Sequence, residues 1–315
     1  MTDAAPPETL DALTLLEAHL GTAMPGAKIT RALRIVPGKR AIFLGEHEGE
    51  KCVFRLALGP KQRKSFAAEW AELTRLWAYM GNPPNTVARP IRFDPDPGLL
   101  VMSHLPGKPL LSYMQHKART EDHPALIARA AEWLHAYTSP TMEAGALNAP
   151  RWRKLARRAA ESQPIPALAE IERRIVRQLR LLSKMNPSEE CRTAILHNDF
   201  HFNNLIHFRG TLSGIDCGRS GRAPLVKDIA RALTHMARHG MLPSGERHFG
   251  VDRAALETFS EAFALTETER NYHLPLLIGF EALMRVEHEE IGETRIALAI
   301  EMEKSLLRDL RRLTG

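Results

Sequence analysis

Ile195-Leu-His-Asn-Asp-Phe-His-Phe-Asn-Asn-Leu-Ile206, followed closely by Leu212-Ser-Gly-Ile-Asp-Cys-Gly218, decides how this chain is read. Each is a short apolar run that feeds a carboxylate. Asp199 follows Ile195-Leu196, and Asn204 stands five places further on with Leu205-Ile206 behind it. Asp216 follows Ile215 and precedes Cys217-Gly218. Between them, His207-Phe-Arg-Gly-Thr211 reads as a tight hairpin turn, with Gly210 supplying the permissive backbone. A hairpin of that size brings its ends together, so Asp199, Asn204 and Asp216 are expected to converge at its mouth. Two carboxylates and an amide oxygen are hard oxygen ligands, which suits magnesium beside phosphate. Alone, any of these residues would more often be a turn former or cap. A zinc site is the competing reading, because His197, Asp199 and His201 alternate onto one face of an extended segment. It leaves Asn204 and Asp216 unexplained, and no further ligand cluster stands at a recognisable spacing. His201 is therefore read as a pocket-wall or packing residue.

The spacing His197-x-Asp199-x-x-x-x-Asn204, then Asp216-x-Gly218, is that of the catalytic and metal-binding loops of kinases. The full run resembles the aminoglycoside phosphotransferase and choline kinase family. Ile215-Asp-Cys-Gly-Arg-Ser-Gly-Arg-Ala223 with Asp228-Ile-Ala230 is similar to the aminoglycoside enzymes, whereas His197-Asn198-Asp199 is similar to choline kinase. The resemblance is specific over about residues 195–231 and loose over 29–110. It implies an α+β, protein-kinase-like two-lobed fold, with a small antiparallel-sheet N-lobe and a mostly helical C-lobe. It also implies ATP and Mg2+ as cofactors and transfer of the γ-phosphate to a hydroxyl of a small molecule. Asp199 would be the catalytic residue, Asn204 and Asp216 the metal ligands, and His197 and Asp228 supports of the loop.

The first part of the chain is read through the same resemblance. Glu8 to Leu20 has helical spacing and ends at Gly21, giving an N-terminal extension over 1–26. Three strands follow between Ile29 and Leu58, with turns at Pro37-Gly38-Lys39-Arg40 and at Gly45 to Glu50. The first turn would cover the nucleotide phosphates with Lys39. The third strand would present Arg55 to the α- and β-phosphates, where aminoglycoside kinases carry Lys. A planar guanidinium fork differs from a compact ammonium, so binding survives while its geometry changes. Ser65 to Trp77 is an amphipathic helix with Phe66, Trp70, Leu73 and Trp77 as its stripe. Glu69 is expected to meet Arg55, with Glu72 as the competitor. Two more strands, Val87 to Phe93 and Gly98 to Ser103, complete a nucleotide-binding N-lobe over 27–104. Met102, Ser103 and Leu105 would border the adenine.

The C-lobe is expected over 105–315 and reads as helical. Pro150 to Ser183 is strongly basic, and Gly279 to Glu293 reads as an acidic helix whose glutamates are mostly solvated. At 315 residues and 44% apolar composition, the chain can build two ordinary cores. The formal charge of +6 comes from basic residues scattered among helices, without the basic-aromatic interleaving of a nucleic-acid binder. No apolar run approaches the roughly 20 residues that span a bilayer, and the N-terminus lacks the basic and apolar regions of a signal peptide. Three dispersed cysteines form no metal-type pair and suit a reducing cytoplasm. The expected partner is a small hydroxylated acceptor, with no nucleic acid and no membrane. The alternative is a catalytically weak kinase-like protein that binds nucleotide or a partner, suggested by Arg55 and the poor phosphate loop.

Overall fold

The computed structural model describes residues 7–285 and 290–315. Its contacts divide the chain into two compact units, Met1–Gly107 with Ile206–Ser220, and Lys108–Leu205 with Gly221–Gly315.

The first unit is built on a five-stranded antiparallel sheet. Its strands are β1 (Lys28–Val36), β2 (Arg40–His47), β3 (Glu50–Ala57), β5 (Pro90–Asp94) and β6 (Leu99–Ser103), in the order β1-β2-β3-β6-β5. Strand β4 (Asn85–Val87) lies outside this sheet, so the expected strand Val87 to Phe93 is interrupted at Ala88-Arg89. Alternation along β2 buries Ala41 and Phe43 on one face, where they join Phe54, Leu56, Leu99 and Val101. Helix α1 (Pro7–Ala23) covers that face with Ala12, Leu16 and Leu20. It runs past the expected stop, because Gly21 is tolerated inside it. The edge strand β1 is mostly exposed and carries Arg31 and Arg34, charges that discourage pairing with another chain.

Helix α2 (Pro60–Met80) opens with Pro60, whose missing N–H suits a helix start. Its buried face is Phe66, Glu69, Glu72, Leu73, Leu76 and Met80, which corrects the expected stripe: Trp70 and Trp77 are only half-buried. The stripe is rotated because the sheet supplies a counter-ion for Glu69, so a carboxylate takes an inward position that apolar periodicity alone would assign to Trp70. The hairpin Leu205–Phe208 and Thr211–Gly214 turns through Arg209 (φ 47°) and Gly210 (φ 81°). Two successive positive φ values are those of a type I′ turn. Its second strand pairs in parallel with β4, from Leu212 opposite Asn85 to Gly214 opposite Val87, which ties the hairpin to the first unit.

The second unit holds α3 (Leu110–His116), α4 (His123–Thr138), α5 (Ala149–Glu161), α6 (Pro166–Met185), α7 (Val226–Arg238), α8 (Arg253–Ala262), α9 (Leu274–Leu283) and α10 (Glu293–Thr314). A three-stranded antiparallel sheet joins them, with Glu190–Leu196 between Gly221–Pro224 and Glu143–Ala146. Every position of α7 is buried, so its polar side chains must find partners inside the protein. The acidic helix expected over Gly279 to Glu293 is not continuous: α9 stops at Leu283 and α10 starts at Glu293. Glu281 is buried rather than solvated, Glu290 and Glu293 are exposed, and Glu287 and Glu289 lie outside the described residues. Among the described residues no helix is long and apolar enough to cross a membrane.

Candidate active site

In the first unit, β3 presents Arg55 to the buried face of α2. Its Nη1 donates to Glu69 Oε1 and lies 3.3 Å from Asp216 Oδ1. Arg55 and Glu69 are 7% and 3% exposed, so this is a buried ion pair. The guanidinium also sits over the Phe66 ring, 4.9 Å from its centroid, a cation–π contact that helps hold it in place. Burial pushes the Glu69 carboxyl up and Arg55 opposes that shift, while Asp216 adds to it. Glu72 takes a different partner, receiving Arg75 Nη2 at 2.6 Å and Nε at 2.9 Å.

Asp216 reaches this pair because of the glycine two places on. A Cβ on Gly218 would stand 3.0 Å from Glu69 Cβ and 3.2 Å from Ser65 O, too close for an unyielding helix. Gly218 thus lets the segment after the hairpin lie directly against α2. Asp216 itself adopts a left-handed backbone (φ 59°, ψ 40°) and keeps 55% of its side chain exposed. A non-glycine residue held there is mildly strained, a feature common at functional sites.

The second unit builds its own cluster around the loop His197–Asn204. Asp228, at the start of α7 and fully buried, accepts from the backbone N–H groups of His197 at 2.8 Å and Asn198 at 3.3 Å. Burial pushes its carboxyl up, against the pull of Lys227 and His197. Asn198 is left-handed (φ 62°), and its Nδ2 donates to Gly221 O at 3.2 Å. His197 is 1% exposed, in ring contact with Trp133, Tyr137 and Phe200. The loop is therefore fixed from below by a carboxylate and an aromatic bed.

Above that bed, Asp199 Oδ1 accepts from Arg231 Nε and from Arg285 Nη2, both at 3.1 Å. Burial alone would raise the Asp199 carboxyl; Arg231, His201 and Arg285 outweigh it and bring its pKa down to about 2. Asn204 Nδ2 donates to the Asp199 backbone carbonyl at 3.0 Å. That bond leaves the amide oxygen, the atom a hard cation takes, uncommitted to any donor among the described residues. The ring of His201 stacks on His235 at 4.3 Å between centroids, and His235 lies 4.3 Å from His239. Burial depresses all three imidazoles, His201 to about 4, so they are neutral near pH 7.

The expected residues thus fall into two groups. Arg55, Glu69 and Asp216 meet in the first unit; His197, Asp199, Asn204 and Asp228 meet in the second. Met102 is buried in β6, and Ser103 Oγ accepts from Arg89 N at 2.9 Å. Leu105 is half-buried just beyond the strand. Lys39 is exposed in the turn after β1, and it is the neighbouring Arg40 whose charge bears on Glu69. Arg231 and Arg285 were missed by sequence reasoning. The first stands three residues after Asp228 on the same helix, a one-turn spacing that could have placed it beside the loop. Arg285 carries no comparable signal. No group of three or more His, Cys, Asp or Glu is gathered for a metal among the described residues, which removes support for zinc at His197, Asp199 and His201. A cavity of about 800 Å³ is lined from α1, the end of β3, the start of α2 and Asp96-Pro97, and none of these site residues lines it.

Residues 39–259 match the family model described as the phosphotransferase enzyme family, APH. No match to a curated protein was found. Among solved structures, a thermostable mutant of aminoglycoside phosphotransferase APH(4)-Ia, in ternary complex with ADP and hygromycin B, superposes with a TM-score of 0.60 at 12% identity, over 94% of this chain and 97% of its own. Amicoumacin kinase hAmiN, in complex with AMP-PNP, Ca2+ and Ami, gives 0.56 at 14%, over 97% and 98%. Macrolide 2'-phosphotransferase MphH from Brachybacterium faecium gives 0.52 at 16%, over 94% and 98%. At such identities the likeness is one of fold: an antiparallel N-terminal sheet and a mostly helical C-terminal part, the α+β kinase-like arrangement.

Proposed function

We propose that this chain, which belongs to the phosphotransferase enzyme family, moves the γ-phosphate of ATP to a hydroxyl of a small molecule. Family membership makes it a phosphotransferase; the nucleotide, the ion and the roles of individual residues are our reading. The observation that carries it is the buried Arg55–Glu69 pair with the half-exposed Asp216 carboxylate beside it. A cation held by a helix glutamate, next to a metal-binding Asp-x-Gly, is the arrangement kinases use to grip nucleotide phosphates. The relatives' complexes with ADP and AMP-PNP support ATP as donor.

Arg55 would brace the α- and β-phosphates, and Lys39 would lie over them. Met102, Ser103 and Leu105 would border the base, through backbone groups for the polar contacts. Asn204 and Asp216 offer the hard oxygens that suit Mg2+, whose charge would offset that developing on the β- and γ-phosphates. Asp199 would orient the acceptor hydroxyl and receive its proton as the new O–P bond forms. The bond from the γ-phosphorus to the bridging oxygen breaks, and its electrons leave with ADP. A carboxylate with a pKa of about 2 is a weak base, but phosphoryl transfer depends mainly on positioning and charge stabilisation. Asp228 and His197 would hold the loop in shape. We further propose residues 27–104 and 105–315 as the two functional domains after an extension over 1–26. A cytoplasmic site of action suits three buried free cysteines.

One observation favours a second reading, a nucleotide binder with little catalysis: two guanidiniums already occupy Asp199 Oδ1. Purified protein with Mg2+ and ATP, assayed across hydroxylated acceptors, separates the two. Turnover abolished by Asp199→Ala with ATP binding kept supports the kinase. Undiminished turnover by Asp199→Ala removes Asp199 from the chemistry.

A further inference from the structure

The basic stretch from Pro150 to Ser183 forms α5 and α6, two helices of the second unit packed against each other. Each buries one stripe, Trp152, Ala156 and Ala160 on α5 and Ile175, Leu179 and Leu182 on α6. One step round from those stripes, Arg153, Lys154 and Arg157 on α5 and Arg173, Arg177 and Arg180 on α6 line a common cavity of about 450 Å³. Pro150 and Val176 complete its lining, so neither a carboxylate nor an aromatic ring lines it. Along each helix these cations recur three or four residues apart, a spacing at which like charges meet and destabilise the helix. Carboxylates answer only at the margins: Glu161 lies 3.5 Å from Arg157, and Glu170 pairs with Arg173 and Arg174. Arg153, Lys154, Arg177 and Arg180 form no ion pair among the described residues. The Nε of Arg153 is shut off from solvent and finds no hydrogen-bond partner among the described residues. None of the residues of the Arg55 and Asp199 clusters lines this groove.

We propose that the groove between α5 and α6 is a binding site for an oligophosphate, a chain of several phosphates held by its charge with no base to be read. The inference does not depend on the kinase reading. Six cations around one recess repel each other until an anion enters, and a guanidinium offers a planar fork of donors that fits phosphate oxygens. Arg173 to Arg180 spans about 10 Å of α6 at 1.5 Å per residue. A linear anion can therefore run along one wall from Arg173 through Arg177 to Arg180, whereas a lone phosphate leaves most of the lining unanswered. Sites for single-stranded nucleic acid add aromatic rings on which bases stack, and this lining has none. A bilayer offers its headgroups as a plane and does not enter a recess between two helices.

Calorimetric titration of the full chain with orthophosphate, pyrophosphate and tripolyphosphate, at low and high salt and without Mg2+, tests the site. Affinity should rise with chain length, by at least about tenfold from orthophosphate to tripolyphosphate, and fall as salt rises. Arg177→Gln with Arg180→Gln removes two exposed cations and should weaken tripolyphosphate binding at least about tenfold, with the circular dichroism spectrum unchanged. Arg177→Lys with Arg180→Lys should keep most of the affinity. Lys304→Gln with Arg311→Gln removes the same charge from exposed positions of α10 and should change nothing. Equal affinity for orthophosphate and tripolyphosphate overturns the proposal, as does tripolyphosphate binding that survives the α6 double variant. An equal loss in the α10 variant would reduce the effect to net charge and overturn it too. Oligouridylate of matched charge and vesicles of phosphatidylcholine with phosphatidylserine are run alongside. Tighter binding of either one, lost in the α6 variant, would assign the groove to RNA or to a membrane and overturn the oligophosphate site.

Discussion

The two charged clusters are inverses of each other. In the first unit one guanidinium, Arg55, serves two carboxylates, Glu69 and Asp216; in the second one carboxylate, Asp199, serves two guanidiniums, Arg231 and Arg285. In both, two members are buried against each other and the third is the more exposed one. Asp216 is 55% exposed and Arg285 41%, against 3% for Glu69 and 5% for Arg231. A buried unpaired ion is expensive, whereas an exposed one is solvated cheaply and remains available to a ligand. The first cluster thus keeps a carboxylate open to solvent, and the second a guanidinium.

The largest expected effect separates the clusters by function. Asp199→Ala should lower kcat by at least about 1000-fold if Asp199 positions and deprotonates the acceptor as proposed. MgATP affinity should change little. Asp216→Ala should do the opposite, weakening MgATP binding by at least about tenfold, seen in a thermal-shift titration. Identical kinetic signatures for the two variants would break the division of labour.

Next comes stability. Glu69→Ala leaves the buried Arg55 guanidinium with only the half-exposed Asp216 carboxylate, 3.3 Å away, to face it, and removal of one member of a buried pair costs about 3–5 kcal/mol. Arg285→Ala should cost under about 1 kcal/mol, because Arg285 is half-exposed and Arg231 still serves Asp199. Urea unfolding of the two variants checks the ranking, and equal losses would contradict the burial argument. Asp228→Ala falls between them. It removes the acceptor of two loop N–H groups, at roughly 1–3 kcal/mol, and kcat should fall with it as the loop loosens.

The parts of this arrangement that were legible in the sequence share a property: they are local. The Asp199 to Asn204 spacing, the Asp216-x-Gly218 turn and the hairpin with Gly210 are each set by a few neighbouring residues. Individual strands and helices followed from period and turn chemistry in the same way, while their assembly into an antiparallel sheet and a helical remainder came from the family resemblance. What was not legible depends on partners far apart in the chain. The buried stripe of α2 includes Glu69 only because Arg55 arrives from β3, so apolar periodicity pointed to Trp70. Arg285 reaches Asp199 across 86 positions, and nothing around it marks it as different from any other helix-end arginine. The acidic stretch near Glu281 looked solvated because its counter-ion, Lys227, lies on another helix.

The smallest effect is also the most diagnostic, because the two clusters should answer pH with opposite signs. The folded pKa of Asp199 is lowered to about 2 from the 3.8 of a free aspartate. Its contribution is therefore complete above about pH 4 and is lost as pH falls through about 2, an effect on the order of 1–2 kcal/mol. The deficit of Asp199→Asn against the wild type should widen as pH rises from about 2 to 4. Glu69 is shifted the other way, since burial outweighs the pull of Arg55. Its contribution is complete below its unfolded pKa and declines as pH rises through the raised folded value, so the deficit of Glu69→Gln should narrow over that range. Denaturant melts of both variants at a series of pH values give the two slopes. Slopes of the same sign would mean that dominant burial at Glu69 and dominant guanidinium pairing at Asp199 do not describe how the protein holds these groups.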